Sequence, residues 1–249
     1  MKTVATHKFT QPIVIIGVGA AVAAALAGGV FLLNTPLPAS QPPPEMAERP
    51  VTLPDGEQLY VQRHEVTVAE WNLCHADGGC TLKLHTRNGF TPDTTPATGL
   101  SFVDVSEYLR WFNEATRHDF RLPTTAEWEH MAQTVLPEEP DPIFTDPSLT
   151  WASSYLNEGL TPRALKPQGS FSTSPEGVVD LDGSVWEWTQ ECYSGTEADP
   201  DRCPAFFVGG EHLAAVPFLV RDPARGGCAV GSPPAHLGMR LVSDTPVGS

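Results

Sequence analysis

Glycine and proline interrupt this chain so often that long regular elements are not expected. Its 249 residues include 21 glycines and 25 prolines, and only 8% are aromatic. Proline ends helices and glycine weakens them, so few uninterrupted segments with helical spacing are left. Hydrophobic residues at 41% and charged residues at 18% provide enough apolar material for a core. We therefore expect one loop-rich globular domain rather than a helical bundle or a disordered chain.

The charge balance is strongly acidic. Thirty acidic residues face 15 basic ones, which gives a formal charge of −15 at neutral pH. Nucleic-acid binding needs clustered positive charge that contacts phosphates, so this balance argues against a nucleic-acid partner. Such an acidic surface either faces a basic partner or keeps the domain soluble, and the second role is the commoner one.

An apolar segment near the N-terminus is long enough to cross a membrane. Residues 13–33 run for 21 positions without a charged or strongly polar side chain, against the ~20 that a spanning helix needs. Two interpretations stay open. The first is a retained transmembrane anchor, which we favour because apolar residues continue to Leu33. The second is a signal peptide cleaved at Ala25-Leu26-Ala27.

The basic residues around this segment predict its orientation. Lys2 and Lys8 precede it, and no Lys or Arg follows until Arg49. The positive-inside rule therefore places residues 1–12 in the cytoplasm and the rest of the chain outside it. The anchor and the signal peptide both export the domain.

A proline-rich stretch follows the apolar segment. Residues 34–50 contain six prolines in seventeen positions and almost nothing to bury. Such a composition predicts an extended linker with polyproline II character. We expect the folded domain to cover residues 51–249.

The five cysteines indicate disulfides, because an exported chain folds in an oxidising compartment. Cys74 is close to Cys80, and Cys192 is close to Cys203, so two local bridges are the simplest proposal. Sequence alone does not establish the connectivity. Cys228 is the candidate for the unpaired thiol.

Two helices are predicted from apolar spacing and capping signals. The first covers residues 101–115, where one stripe recurs at i, i+3, i+4 and i+7. Its members are Val105, Tyr108, Leu109 and Phe112. The second begins after Thr124, which has the spacing of a capping box with Glu127, and it ends before Pro137.

The stretch 180–188 carries three carboxylates within eight residues, around a glycine turn. Like charges at this density repel one another unless something positive neutralises them. Ca²⁺ does so with six to eight oxygen ligands. Asp180 and Glu187 would supply side chains, and Gly183 and Val185 would supply carbonyls. The alternative is that these acids are solvated turn residues.

Six short motifs occur in order along the domain. They are Glu65-Val-Thr67, Arg121-Leu-Pro-Thr-Thr-Ala-Glu-Trp128, Gly177-Val-Val-Asp180, Gly183-Ser-Val-Trp-Glu-Trp188, Arg225-Gly-Gly227 and Gly238-Met-Arg240. In this order they resemble the signature blocks of the formylglycine-generating enzyme (sulfatase-modifying factor) family. The resemblance implies an α+β, C-type-lectin-like fold with little regular secondary structure, here preceded by one transmembrane helix. It also implies structural Ca²⁺ at the positions that match Asp180, Gly183, Val185 and Glu187.

The chain departs from the family where the chemistry lies. The formylglycine-generating members hold Cu(I) with two cysteines between the Arg-Gly-Gly and Gly-Phe-Arg blocks, as suits soft thiolate ligands. In this chain the corresponding segment contains only one cysteine, Cys228. We therefore expect that the paired-cysteine oxidase activity, and with it sulfatase activation, is absent.

Cys228 stands with two histidines that offer a different chemistry. His236 follows it closely and His212 precedes it. A Cys/His group of this kind binds copper or acts as a redox thiol, which would make the chain an oxidoreductase or a copper-handling protein with Cys228 as its catalytic residue. The alternative is a small buried hydrophobe beside two ordinary histidines.

The overall layout resembles the NirV-type members of the family, which are associated with copper nitrite reductase in denitrifying bacteria. That resemblance implies a single-pass protein of the bacterial inner membrane, with its domain in the periplasm and a protein partner or client there. Two hypotheses follow from the sequence: a non-catalytic accessory module, and a copper or redox protein that uses Cys228.

Overall fold

All residues that the computed structural model describes belong to the second of two compact units, which spans residues 40–249. The residues described are 41–136, 143–146, 149, 164–195, 202–223 and 236–248. Within these ranges no helix is long and apolar enough to span a membrane. The predicted span over residues 13–33 and the remaining cysteine, Cys228, both lie outside the described residues.

Two small sheets organise the domain. The strands are β1 (Val51–Thr52), β2 (Gln58–Val61), β3 (Trp186–Cys192), β4 (Ala205–Gly209), β5 (Ala214–Pro217), β6 (Leu237–Gly238) and β7 (Val242–Ser243). One sheet has the order β1-β2-β7, and the other has the order β5-β4-β3-β6. Strands β3 and β6 pair in parallel, whereas the other strand pairs are antiparallel. Together with the helices, these sheets confirm the predicted α+β class.

Three helices are described, and each begins with a capping box. They are α1 (Val68–Ala76), α2 (Phe102–Thr116) and α3 (Thr125–Ala132). Their N-caps are Thr67, Ser101 and Thr124, and each cap hydroxyl accepts a hydrogen bond from the backbone N–H three residues on. The box satisfies N–H groups that a helix leaves unpaired in its first turn. The predictions of α2 and α3 are confirmed.

Helix α1 was not predicted, because its apolar pattern is narrow. Only Val68, Trp71 and Cys74 are buried on it, at steps of three residues. The signal that would have found the helix is its capping box, in which Thr67 and Glu70 bond to each other's backbone.

The core consists of two clusters of buried side chains. Trp71, Trp186 and Trp188 belong to the larger cluster, which β3, β4, β5, α1 and α2 surround. Trp128, on α3, belongs to the smaller cluster, which also contains side chains of β1 and β2. Gly209, on β4, lies so close to Trp128 that a Cβ there would stand 2.2 Å from the indole ring. Only glycine therefore leaves room for this contact.

Both predicted disulfides are confirmed. Cys74, near the end of α1, bonds to Cys80 with an S–S distance of 2.03 Å. Cys192, at the end of β3, bonds to Cys203 ahead of β4 with an S–S distance of 2.10 Å. Each bridge closes a short loop, as the spacing of the cysteines suggested.

The described part of the proline-rich stretch, residues 41–50, packs on the domain. The backbone N–H of Ala47 donates to the carbonyl of Val61 at 2.8 Å, and that of Arg63 donates to the carbonyl of Glu45 at 2.8 Å. Met46 packs against the larger core cluster. The compact unit therefore starts ahead of the expected boundary at residue 51.

Candidate functional site

Parallel pairing between β3 and β6 brings distant sequence motifs together. Trp186 lies opposite Leu237, and Glu187 lies opposite Gly238. Because side chains alternate along a strand, Glu187 points away from the face that holds Trp186 and Trp188. Arg240 lies two residues after β6 and contacts Glu187 on the face of the sheet opposite the two tryptophans.

The guanidinium of Arg240 is fully buried and all its donor nitrogens are used. Nη2 donates to Oε1 of Glu187 at 2.7 Å, and Nε donates to the same carboxylate at 3.1 Å. The remaining bonds go to the backbone carbonyls of Gln62, Arg63 and Val179. Such bidentate, charge-assisted pairs are stronger than neutral hydrogen bonds. We call Arg240, Glu187, Asp180 and Glu65 the buried ionic centre.

Trp128 is a further hydrogen-bond donor to Glu187. Its indole Nε1 donates to Oε2 of Glu187 at 2.9 Å. Both carboxylate oxygens of Glu187 therefore accept hydrogen bonds, and its residue is only 1% exposed. The hydrogen bond also connects α3 to β3.

Asp180 is held by backbone amides. Its two carboxylate oxygens accept from the N–H groups of Gly169 at 2.5 Å and Phe171 at 2.8 Å. Its backbone has φ 66°, a left-handed conformation that Asp tolerates better than most residues. The imidazole Nδ1 of His64 lies 4.0 Å from one carboxylate oxygen. Asp180 and Glu187 are thus buried, contrary to the alternative of solvated turn residues.

Glu65 is the carboxyl group of the centre that has the fewest partners. Its Oε2 is buried without a hydrogen-bond partner in the described part of the chain, 3.8 Å from Nη2 of Arg240. Burial raises the pKa of Glu65 to about 8, and the negative charge of Glu187 adds to this, against the attraction of Arg240. The environment of Glu65 therefore favours its protonated form over the carboxylate.

Two of the four predicted calcium ligands, Asp180 and Glu187, already have hydrogen-bond donors as the chain is folded. The side chains of Asp180 and Glu187 already accept bonds from amides, an indole and a guanidinium, and the N–H of Gly183 closes a turn onto the carbonyl of Asp180. Arg240 also places positive charge where a cation would be repelled. Among the described residues, no group of three or more His, Cys, Asp or Glu has a metal-binding arrangement. Calcium at Asp180, Gly183, Val185 and Glu187 stays a prediction from the resemblance.

A second feature is a cavity of about 480 Å³, which we call the cleft. Apolar side chains line part of it: Val68, Leu84, Phe90 and Pro96. Its charged and imidazole side chains are His85, Arg87, Arg221, Asp222 and His236. Its volume lies within the usual range for small-ligand sites.

Arg221 is oriented in the cleft by a buried carboxylate. Its Nε and Nη2 donate to Asp104 at 2.7 and 2.6 Å. Burial alone would raise the pKa of Asp104, but the hydrogen bonds from Arg221 and Ser101 hold it below its usual value. Because Asp104 also belongs to the capping box of α2, the guanidinium is attached to a rigid element.

The two histidines that were predicted to lie near Cys228 are both described, and each of them contacts Trp186. His236 lines the cleft, and its carbonyl accepts from the N–H of Trp186 at 2.8 Å. His212 packs edge-on against the ring of Trp186, with the ring centres 4.6 Å apart, and is not among the residues lining the cleft. Cys228 itself lies outside the described residues, so its neighbours stay a prediction.

Sequence reasoning missed the roles of Glu65 and Arg240 in the ionic centre. The available signal was a charged side chain within an apolar run: Arg240 stands between Met239 and Leu241. It also missed His85, Arg87 and Arg221, which lie far apart in sequence and carry no common motif.

The chain belongs to the sulfatase-modifying factor enzyme 1-like domain family. The model of that family matches residues 20–245, nearly the whole chain. The buried ionic centre joins four of the six motifs by which the sequence resembles formylglycine-generating enzymes.

Several named proteins are similar to this chain. The formylglycine-generating enzyme of Mycobacterium tuberculosis is 28% identical over 177 residues, which are 60% of this chain and 57% of that protein. The mouse formylglycine-generating enzyme is 24% identical over 76% of this chain and 55% of its own length. The chain thus spans a little over half the length of these relatives. The solved structure of PvdO from Pseudomonas aeruginosa is 19% identical, with a TM-score of 0.45, over 79% of this chain and 89% of that one.

We predict that the free energy of unfolding falls less steeply with rising pH in Glu65→Gln than in the wild type. The folded chain keeps a proton on Glu65 that the unfolded chain releases, so the free energy of unfolding falls by about 1.4 kcal/mol per pH unit between about pH 5 and about pH 8. A glutamine mimics the protonated acid and removes this contribution. Urea denaturation of both proteins across that range measures the difference.

Glu57→Gln, at an exposed position, is the matched control and should keep the wild-type slope. Burial lowers the pKa of His64, which contributes a slope of opposite sign near pH 6 in every variant. The comparison between variants therefore decides the result. Equal slopes for Glu65→Gln and the wild type would refute a protonated Glu65.

We expect the thermal stability of the domain to be independent of calcium, because Arg240 already neutralises Glu187. Melting temperatures would be measured after removal of bound ions with a chelator, with and without added Ca²⁺. A calcium-dependent rise in melting temperature would contradict this expectation if Asp180→Asn abolished it, because ligand binding stabilises the folded state.

Proposed function

We propose that this chain is an exported, membrane-tethered accessory protein that lacks the paired-cysteine oxidase activity. It assists an enzyme in the periplasm, and a copper nitrite reductase-type enzyme is the client that the sequence resemblance favours. The domain provides a rigid scaffold whose loops form a recognition cleft.

The observation that carries this proposal is the use of the cysteines. The chain has five, and two disulfides engage Cys74, Cys80, Cys192 and Cys203. One thiol is left, at Cys228. Two thiolates are needed to hold Cu(I) in the manner of the resembled oxidases, so a single chain cannot supply the pair.

Some similar proteins are described as inactive. The bovine inactive C-alpha-formylglycine-generating enzyme 2 is 29% identical over 117 residues, 42% of this chain and 35% of that protein. A mouse protein with the same description is 30% identical over the same length. These names support a role for such domains that does not depend on the oxidase reaction.

Two features support export and tethering. The domain contains two disulfides, and disulfides persist in oxidising compartments. Residues 13–33 have the length and apolar composition of a membrane span, and the preceding Lys2 and Lys8 favour a cytoplasmic N-terminus.

A second candidate function is copper handling or thiol oxidoreduction by Cys228. The observation that favours it is the position of His236, which lines the cleft together with His85. Imidazole and thiolate groups are both ligands that copper accepts. In this alternative Cys228 and His236 are the reactive or ligating residues, and His212 is the further ligand that the sequence suggests.

One experiment separates these functions. The purified chain and its Cys228→Ser variant are incubated with a cysteine-containing sulfatase peptide, Cu(I) and oxygen. We expect neither to convert the cysteine to formylglycine by mass spectrometry, whereas the mycobacterial relative serves as positive control. We also expect equal copper contents in both proteins. Conversion of the peptide would overturn the accessory role, and stoichiometric copper lost in Cys228→Ser would establish the second function.

Membrane attachment is tested on the full chain in a bacterial host. We expect the protein to stay in the membrane fraction after an alkaline wash and to be digested by protease added to spheroplasts but not to intact cells. The intact mass decides between the two N-terminal interpretations. A mass that lacks the residues up to Ala27 would indicate a cleaved signal peptide and refute the tether.

A further inference from the structure

We propose that the cleft binds a carboxylate group carried on an apolar body, as in an acidic peptide segment of a partner protein. This inference rests on the proposed recognition role and specifies the chemistry of the ligand. It follows from the donors, the charge and the shape of the cleft.

The cleft contains guanidinium groups with unused donors. Arg87 is exposed, and its side chain forms no hydrogen bond or ion pair within the described chain. Arg221 uses Nε and Nη2 for Asp104, and its Nη1 has no bond to any residue that the structure describes. Guanidinium N–H groups match the geometry of carboxylate oxygens.

The charges of the cleft oppose those of the chain as a whole. The protein has a net charge of −15, yet this one cavity is lined by two arginines and two histidines. Its carboxylate, Asp222, already has an interaction partner, and the charge of Arg221 is balanced by Asp104. The charge of Arg87 is therefore left for a ligand.

The binding groups are arranged before a ligand arrives. Asp104 accepts hydrogen bonds from the backbone N–H and the hydroxyl of Ser101. It also accepts from Nε and Nη2 of Arg221, which holds that guanidinium in one orientation. A donor that is already oriented loses little conformational entropy when it binds. Arg221 therefore acts as a fixed donor, and Arg87 supplies the free charge at the rim.

Apolar surface next to these donors defines the rest of the ligand. Leu84 and Phe90 flank Arg87 in sequence and line the same cavity, as do Val68 and Pro96. A cavity of about 480 Å³ holds a few residues of an extended peptide or a small organic acid. The carboxylate is the chemistry common to both sources.

The test uses the full-length protein in detergent and two labelled hexapeptides, one with alternating leucine and glutamate and one with glutamine in place of each glutamate. At an ionic strength of about 0.15 M only short-range charge contacts remain effective. We expect the glutamate peptide to bind and the glutamine peptide to bind more weakly by on the order of tenfold. Fluorescence anisotropy measures both affinities.

Arg87→Gln is the decisive variant, because Arg87 is exposed and its replacement leaves no buried group unpaired. We expect it to weaken binding of the glutamate peptide by on the order of tenfold. Arg110→Gln makes the same change of charge at an exposed position of α2 that does not line the cleft, and it should bind as the wild type does. Equal binding of both peptides, or no effect of Arg87→Gln, would overturn the proposal.

Competition with glutarate identifies the source of the carboxylate. Displacement of the glutamate peptide by glutarate indicates that a free small acid suffices, and no displacement indicates that the peptide context is required. The result is independent of the oxidase assay. Conversion of the sulfatase peptide would refute the accessory role whatever the cleft binds, whereas a failure of acidic peptides to bind would refute only the present inference.

Discussion

The buried pair of Arg240 and Glu187 is the interaction on which this fold depends. One guanidinium bonds to a carboxylate on β3 and to backbone carbonyls that follow β2 and precede the acidic turn. The free energy lost when two charges leave water can exceed the gain from their mutual attraction, unless their other donors and acceptors are also hydrogen-bonded. Here every donor nitrogen of Arg240 has an acceptor. The pair thereby joins the two sheets without a long regular element.

This centre connects several loops to the regular elements of the domain. Trp128 contacts Glu187 from α3, and Asp180 is held by amides of the preceding loop. Oε2 of Glu65 has no hydrogen-bond partner among the described residues, and burial raises the pKa of this carboxyl group to about 8. A buried polar network of this kind stabilises one arrangement of the chain only while its members remain satisfied.

Under the proposed function, this chain keeps the scaffold of the family without its paired-cysteine chemistry. The motifs that build the ionic centre are present, whereas four of the five cysteines are engaged in disulfides. The cleft lies among loops, and the loops of a rigid scaffold vary more freely than its core. A recognition role therefore requires no change in the residues that hold the fold together.

The sequence by itself determined the local features: α2 and α3 through capping boxes and apolar spacing, and two disulfides through short separations. It also showed that the acids around Asp180 need a positive partner. Only the tertiary structure decided that Arg240 fills this role for Glu187, because parallel pairing of β3 with β6 is a long-range event that no local pattern encodes. The cleft has the same origin, since Arg87 and Arg221 line one cavity only because segments far apart in sequence come together in the fold.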